Sequence, residues 1–266
     1  MPVVAGVLAA TIAAGPSVAP LDRFPQAAKA YVIVADGRVV AERAADAPLP
    51  PASLTKILTA LAVTDESWKD EDVLTVSAAA AAVPGARLGL RPGERIRAGD
   101  ALIAMLVRSC NDAAVVLAEH HAGSVSRFVD AMNAKAKALG LKASRFMNPT
   151  GLDAPGHVAS AHDLVRLAEA ALAEPELART VAMERATVRT LSGRSFELVS
   201  SNALLGRLPG ARGLKTGHTS AAGDCLIAFA ERDGHRVLVV LLGAKDRWWT
   251  AAALVEAGFT AATAPQ

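Results

Sequence analysis

Aromatic side chains are scarce: six Phe, three Trp and one Tyr make up 4% of the 266 residues. Few flat faces are left for stacking bases, and Lys and Arg are scattered rather than gathered in a run, so nucleic acid is not an expected partner. The formal charge of +2 supplies no strong field of one sign. Cysteine is nearly missing. Cys110 and Cys225 are the only two, which excludes a disulfide framework, although an exported chain could oxidise the pair to one bridge. Two free, largely buried thiols are the expectation, because Cys110 lies in a candidate catalytic word and Cys225 in the apolar run Cys225-Leu226-Ile227-Ala228-Phe229. No HExxH pattern accompanies His120-His121, whose side chains would point apart on a helix, and His157 and His162 have no recognisable ligand set. A Gly-rich phosphate loop is also missing, so neither metal nor cofactor is expected. No internal repeat or long linker divides the chain, whose length suits one large domain or a domain with an inserted lobe.

Apolar residues, by contrast, reach 52%, and they open the chain. Residues 1–19 carry no charge and end in Ser17-Val18-Ala19 before Pro20, the shape of a secretory leader with a small-residue cleavage site. This leader lacks an initial Lys or Arg, and Gly6, Gly15 and Pro16 break its apolar stretch. A start codon set too far downstream would account for the missing basic residues. A buried N-terminal strand or helix is the bland alternative, although such a segment would show an amphipathic period. An uncleaved leader serving as a membrane tether is another, on a span short for crossing a bilayer. The leader reading makes the protein exported, at work in the cell envelope outside the cytoplasm.

Beyond the leader, two β-prone runs, Tyr31-Val32-Ile33-Val34 and Val39-Val40-Ala41, flank the turn dipeptide Asp36-Gly37, a hairpin signal. Pro48, Pro50 and Pro51 end regular structure, and an apolar helix follows with Ser53 at or near its N-cap. Helical patterns then cover 101–107, 113–119, 128–139 and 164–173, the last opened by Ser160 and Asp163 three apart. The period changes afterwards. Strand patterns at 187–191 and 195–199 flank Ser192-Gly193, and further strands are expected at 214–219, 225–231 and 236–242, the last two joined at Asp233-Gly234. A helix over about 246–257 closes the domain. Hairpin-linked strands imply an antiparallel sheet, so the fold class is α+β.

Three short words carry chemistry. In Ser53-Leu54-Thr55-Lys56 the hydroxyl and the ammonium share a helix face, so the amine can reach the hydroxyl it would deprotonate. Lysine serves as a base only when desolvation or a second cation lowers its pKa. Lys215 would be that cation if its strand runs beside the helix start. Taken alone, the word reads first as an ordinary N-cap followed by a solvated lysine. Ser109-Cys110-Asn111 falls between two helical patterns, where a tight connection can present side chains to a cleft; Ser200-Ser201-Asn202 satisfies the same pattern, but the first precedes a helix of the inserted block. Lys215-Thr216-Gly217 occurs once, in a strand pattern followed by His218-Thr219. Gly217 would let a substrate backbone come close to the strand edge, Thr216 would donate to a carboxylate, and Lys215 would add charge. A plain strand with a surface lysine reads the same way.

Together these words resemble the low-molecular-mass penicillin-binding proteins of the D-alanyl-D-alanine carboxypeptidase family, serine peptidase family S11. Further stretches agree: Phe146-Met147-Asn148-Pro149-Thr150-Gly151-Leu152-Asp153, His162-Asp163-Leu164, Asn202-Ala203-Leu204-Leu205 and Leu242-Gly243-Ala244. The similarity covers about residues 22–260. It implies a β-lactamase/transpeptidase-like fold, a five-stranded antiparallel sheet flanked by helices with an inserted all-helical lobe at about 68–173. That fold would make residues 20–262 a penicillin-binding catalytic domain with a tail at 263–266. It also implies roles. Ser53 attacks the penultimate D-alanine carbonyl of a peptidoglycan stem peptide and Lys56 accepts its proton. The backbone N–H groups of Ser53 and His218 form the oxyanion hole, Ser109 relays a proton to the leaving amine, and Asn111 orients the substrate amide. Lys215, Thr216, Thr219 and Arg247 hold the terminal carboxylate. No cofactor is implied, and β-lactams are implied as covalent inhibitors of the same serine.

Two departures stand out. Cys110 takes the place of the glycine usual in the second word, so a bulkier thiol is expected near the cleft, narrowing it or open to alkylation. The chain also ends soon after Phe259, whereas many relatives add a β-rich domain and an amphipathic anchor, so attachment to a membrane would depend on the leader. Rival readings stay open. A class A β-lactamase needs a glutamate to activate deacylating water, and no Glu-x-x-Leu-Asn word occurs between Asn111 and Lys215. A D,D-endopeptidase or transpeptidase would use the same groups, and a non-catalytic penicillin-binding sensor would need only part of them.

Overall fold

The computed structural model describes residues 22–64 and 67–264. The leader expected over residues 1–19 therefore lies outside the described residues. Strand β1 (Ala28–Ala35) turns through Asp36 and Gly37, at φ 46° and 77°, into β2 (Arg38–Arg43), the left-handed pair that a two-residue hairpin needs. A 3₁₀ turn (Ala52–Leu54) leads into α1 (Thr55–Val63). The inserted block then comprises β3 (Val73–Thr75), α2 (Ala78–Ala82), β4 (Arg95–Arg97), α3 (Ala98–Val107), α4 (Asn111–Ala122), α5 (Val125–Ala138) and α6 (Ala161–Ala173). After α7 (Pro175–Val181) come the hairpin β5 (Arg185–Arg189) and β6 (Ser195–Val199), then β7 (Ala211–Thr219), β8 (Gly223–Arg232), β9 (His235–Ala244) and α8 (Arg247–Thr263).

The main sheet has the order β2-β1-β9-β8-β7, every pair antiparallel, so the first and last strands of the domain meet at its centre and β7 is left on an edge. Side chains alternate between its faces as a period of two requires. Ala30, Val32 and Val34 of β1 join the larger core with α1, whereas Tyr31, Ile33 and Ala35 face Ala251, Leu254 and Val255 of α8. Each aliphatic side chain buried this way contributes about 1.5–3 kcal/mol relative to exposure. Helices thus cover both faces, and the expected α+β class with its five-stranded antiparallel sheet holds.

The inserted block is mainly helical but not wholly so. Val73, Leu74 and Thr75 pair with Arg97, Ile96 and Arg95 in a short ribbon, too brief to leave a period in the sequence. Helix α6 packs against β1 and β9, which makes it a cover for the sheet rather than part of a detached lobe. Its Ser160 accepts from Asp163 N as a cap should. The Asp163 carboxylate does not reciprocate; it takes Lys142 N, Ala143 N and Ser144 Oγ instead, tying the preceding loop to the helix start. Helix α1 is buried along its whole length. A helix enclosed on every side holds its residues at fixed positions, and Lys56 is one of them.

Candidate active site

Ser53 does not cap a helix. It sits in the 3₁₀ turn after Ala52, whose φ is +49°, and no side-chain cap bond is made there. In a 3₁₀ turn residues three apart eclipse, which sets Ser53 above Lys56. The Ser53 hydroxyl accepts from Lys56 Nζ at 2.9 Å and faces the Thr150 carbonyl at 3.4 Å. Lys56 is fully buried, and its other donors go to Asn111 Oδ1 at 2.7 Å and Thr150 O at 2.5 Å. Burial holds this ammonium well below its ordinary value, and the charge of Lys215 pushes the same way. In the neutral form this favours, the two N–H bonds go to Asn111 Oδ1 and Thr150 O, and the lone pair is left to accept from the Ser53 hydroxyl.

Lys215 reaches from the sheet edge to the helical side. Its Nζ donates to Ser109 Oγ at 2.8 Å and to Thr216 O at 2.9 Å, and it is 1% exposed. Burial lowers it to about 7, and Arg247 adds to the effect. A thiolate at Cys110 would oppose this, but burial and Asp112 push that thiol up to about 12, so it is uncharged at neutral pH. The Lys215 ammonium, expected to help hold a carboxylate, is committed here to Ser109 and Thr216. Ser109 itself, at φ +64°, is held on the bend between α3 and α4.

The sheet wall is made by Thr216, Gly217, His218, Thr219 and Arg247. Arg247 donates through Nη1 to Gly217 O at 2.7 Å and lies 3.3 Å from Asp224, while its buried Nε has no partner among the described residues. Asp224 also faces His218 Nδ1 at 2.7 Å, and that ring is largely exposed. Thr219 Oγ1 donates to Asp153 at 2.5 Å. Thr216 Oγ1 shares a hydrogen bond of 2.8 Å with Ser201 Oγ, so the second Ser-x-Asn word, set aside on sequence, also borders this cleft. Asn111 has both amide ends engaged, Oδ1 by Lys56 and Nδ2 by Pro84 O at 2.7 Å; the second Nδ2 hydrogen is what it can offer a substrate.

Two glycines bring three segments together. A Cβ on Gly217 would lie 2.9 Å from both Ala52 Cβ and Ser53 N. The missing side chain thus lets β7 approach the nucleophile's own turn, a neighbour the sequence did not announce. Gly151, at φ +83°, would place a Cβ 1.9 Å from Ala52 O. Between them Asn148 folds its Oδ1 back onto Thr150 N, Thr150 Oγ1 and Gly151 N at 3.1, 2.9 and 2.8 Å, which presents the Thr150 carbonyl to Lys56. From below, His157 Nδ1 accepts from Met147 N at 3.2 Å. Its Nε2–H is therefore left to donate to Thr55 Oγ1 at 2.8 Å, and that hydroxyl donates to Ala52 O at 2.8 Å. Sequence reasoning assigned no role to Thr150, Gly151 or His157.

The thiols are free and buried, as expected. Cys110 does not narrow the cleft: it is 0% exposed and points into the core, so alkylation there is not expected either. The cleft is a hollow of about 490 Å³ with Ser53, Ser109 and Asn111 on its floor. No group of three or more metal-ligating side chains occurs among the described residues.

Comparison with known proteins agrees with this geometry. The peptidase S11 profile, described as D-alanyl-D-alanine carboxypeptidase, matches residues 18–246. The D-alanyl-D-alanine carboxypeptidase DacF of Bacillus subtilis is 36% identical over 224 residues, 82% of this chain and 58% of its own length. DacB2 of Mycobacterium tuberculosis, a carboxypeptidase by the same description, is 37% identical over 238 residues, 85% of this chain and 81% of its own. The chain thus spans little more than half of the first relative and most of the second. Among solved structures, the Mycobacterium tuberculosis D-alanyl-D-alanine carboxypeptidase superposes with a TM-score of 0.83 at 32% identity, covering 94% of this chain and 96% of that one. The Streptomyces K15 DD-transpeptidase gives 0.83 at 25% identity, covering 88% and 97%. A serine-lysine pair at the end of a buried helix, facing a Lys-Thr-Gly sheet edge and matched by a profile along most of its length, makes this chain a member of the D-alanyl-D-alanine carboxypeptidase family, peptidase family S11.

Proposed function

We propose that the protein is a serine-type carboxypeptidase that removes the terminal D-alanine from peptidoglycan stem peptides through an acyl-enzyme on Ser53. The observation that carries this reading is the 2.9 Å contact between Ser53 Oγ and the buried, pKa-lowered Lys56 amine. Ser53 Oγ attacks the carbonyl of the penultimate D-alanine while its proton passes to Lys56 Nζ. The oxyanion develops between the N–H groups of Ser53 and His218, on segments that Gly217 lets approach. As the peptide C–N bond breaks, the proton that Lys56 took is relayed through Ser109 to the departing amine, with Lys215 holding the Ser109 hydroxyl in place, so Lys56 is neutral again for the second step. Water then attacks the ester with Lys56 as base, releasing the shortened stem and restoring the serine. The terminal carboxylate is held by Thr216 and Arg247, with Thr219 at the rim and the Lys215 charge behind the wall. β-Lactams acylate the same serine, and without a Glu-x-x-Leu-Asn word the acyl group leaves slowly. No cofactor takes part in this scheme.

The same groups serve an endopeptidase or a transpeptidase if the acyl donor or acceptor differs. The carboxypeptidase reading takes precedence because the more similar relatives carry that description. Its substrate places the enzyme in the cell envelope, although no described helix is long and apolar enough to cross a membrane. The test pairs two assays: D-alanine release from an acyl-D-Ala-D-Ala peptide and labelling by fluorescent penicillin. Ser53→Ala should abolish both, a loss on the order of 10⁴-fold or more in turnover. Labelling that survives in the variant refutes Ser53 as nucleophile, and labelling without D-alanine release in the parent protein favours a sensor.

A further inference from the structure

Two arginines on the helical wall of the cleft, Arg87 and Arg108, take no part in the scheme above, yet both line the hollow that contains Ser53. Both are exposed. Their backbones are fixed. Asn111 N donates to Ala86 O at 2.7 Å, and Leu88 N, Gly89 N and Leu90 N all donate to the buried Asp112 carboxylate at 2.9, 2.8 and 3.1 Å. The loop carrying Arg87 is thereby clamped, on both sides of that residue, to the start of α4. Arg108 is the C-cap of α3, three residues before Asn111. Arg87 Nη1 donates to Ala81 O at 3.1 Å, which leaves most of its guanidinium uncommitted, and Arg108 has no ion pair among the described residues.

The charge around them is one-sided. No Asp or Glu belongs to the described lining of this cleft, whereas Arg87, Arg108 and Arg247 all do. A cation at the end of α3 would offset the helix dipole, which accounts for Arg108 alone. Arg87 lies on no helix, so the dipole does not explain it. Arg247 stands on the sheet wall and Arg87 and Arg108 on the helical wall, so the cleft offers anion contacts on two sides of Ser53. A guanidinium favours planar, paired contact with a carboxylate over water.

We propose that Arg87 and Arg108 form a second carboxylate subsite, which takes an acidic side chain on the residue immediately upstream of D-Ala-D-Ala in the acyl donor. The enzyme then selects donors whose side-chain acid is free over those in which it is amidated. This inference rests on the carboxypeptidase reading and deepens it. The wall that holds the terminal carboxylate orients one end of the donor, and the helical wall orients the other.

The test uses the whole chain and two synthetic donors, N-acetyl-X-D-Ala-D-Ala, with X either 2-aminopimelate or its side-chain carboxamide. The parent protein should show kcat/KM for the acid on the order of tenfold above the amide, as one charge-assisted contact supplies, with the preference shrinking in high salt. The double variant Arg87→Gln/Arg108→Gln should bring the ratio near one. Arg108→Glu should turn the preference towards a donor with X as lysine, an outcome that general loss of stability cannot produce. Equal use of acid and amide by the parent protein overturns the subsite while leaving the carboxypeptidase reading intact, as does a preference that survives the double variant. Failure to release D-alanine from either donor overturns the carboxypeptidase reading, and the subsite with it.

Discussion

Lys215 Nζ and Ser109 Oγ, 2.8 Å apart, join the edge of the sheet to the bend between α3 and α4. The contact sets one ammonium behind the hydroxyl that would protonate a leaving group, and the same charge adds to burial in lowering the pKa of Lys56. Below about 7, where Lys215 is charged, it opposes protonation of Lys56 most strongly.

Removing that charge should therefore move Lys56 upward. Lys215→Met keeps the bulk and loses the cation, so the acidic limb of the pH profile for penicillin acylation should shift to higher pH. The rate at neutral pH should fall on the order of 10²-fold or more, the scale of losing one preorganised charge. Stopped-flow acylation between pH 5 and 9 reads both. A limb that stays in place would show that burial alone sets the basicity of Lys56.

Gly151 is a steric requirement of the nucleophile. Gly151→Ala would drive a Cβ into Ala52 O, at a φ of +83° that alanine disfavours. The turn carrying Ser53 has to move, and a displacement of about 1 Å costs on the order of 10²-fold in rate. Folding stability should drop by about 1–3 kcal/mol for the strained backbone. Penicillin acylation and thermal melting report the two effects separately; an unchanged acylation rate would refute the close packing.

Much of this architecture is legible in the sequence because it is local. Asp36-Gly37 and Asp233-Gly234 name their hairpins through left-handed turn residues, and both pairs have positive φ. The spacing of Ser53 and Lys56 survives the change from an α-helical to a 3₁₀ start, since three residues eclipse in either setting closely enough for contact. Other parts are illegible for equally physical reasons. The Thr150 oxygen that holds Lys56 is a main-chain atom, so no residue type announces it. Gly217 reads as a place for substrate because the sequence cannot tell which neighbour fills the empty space. Ser201 reaches Thr216 only through the tertiary fold, and Lys215 looks like a surface cation until the strand edge is covered by the helical side.

Both cysteines should be silent to thiol reagents in the native state. Each is 0% exposed, and burial pushes Cys110 to about 12 and Cys225 to about 11, so neither thiolate is present near neutrality. Ellman's reagent should read no thiol in buffer and two per chain in denaturant, with the same mass before and after reduction. A mass two units lower without reductant, or rapid reaction of one thiol in buffer, would contradict the packing around Cys110.

His157 and His162 should respond to pH in opposite senses. Burial lowers His157 to about 4, and its accepting Nδ1 faces Met147 N–H, so a proton there would set two donors against each other. The unfolded chain binds that proton below about 6.5 while the native one does not, so stability from this group is complete above 6.5 and drains away towards 4, by about 3 kcal/mol in all. For His162 burial pulls the pKa down, but Asp46 at 2.8 Å and Glu42 at 2.7 Å outweigh it and the net shift is upward. Its contribution is complete below the unfolded value and is lost as pH rises through the native one; at a partly solvated site it amounts to at most about 1 kcal/mol. Urea unfolding from pH 4 to 9 should therefore show a steep acidic fall and a shallow alkaline one. His157→Gln should flatten only the acidic fall, and His162→Gln only the alkaline one. His157→Gln should also slow penicillin acylation at pH 7, because the Thr55 hydroxyl that supports Ala52 loses its donor. Flattening of the acidic limb with no change in acylation would confine His157 to stability and detach it from the Ser53 turn.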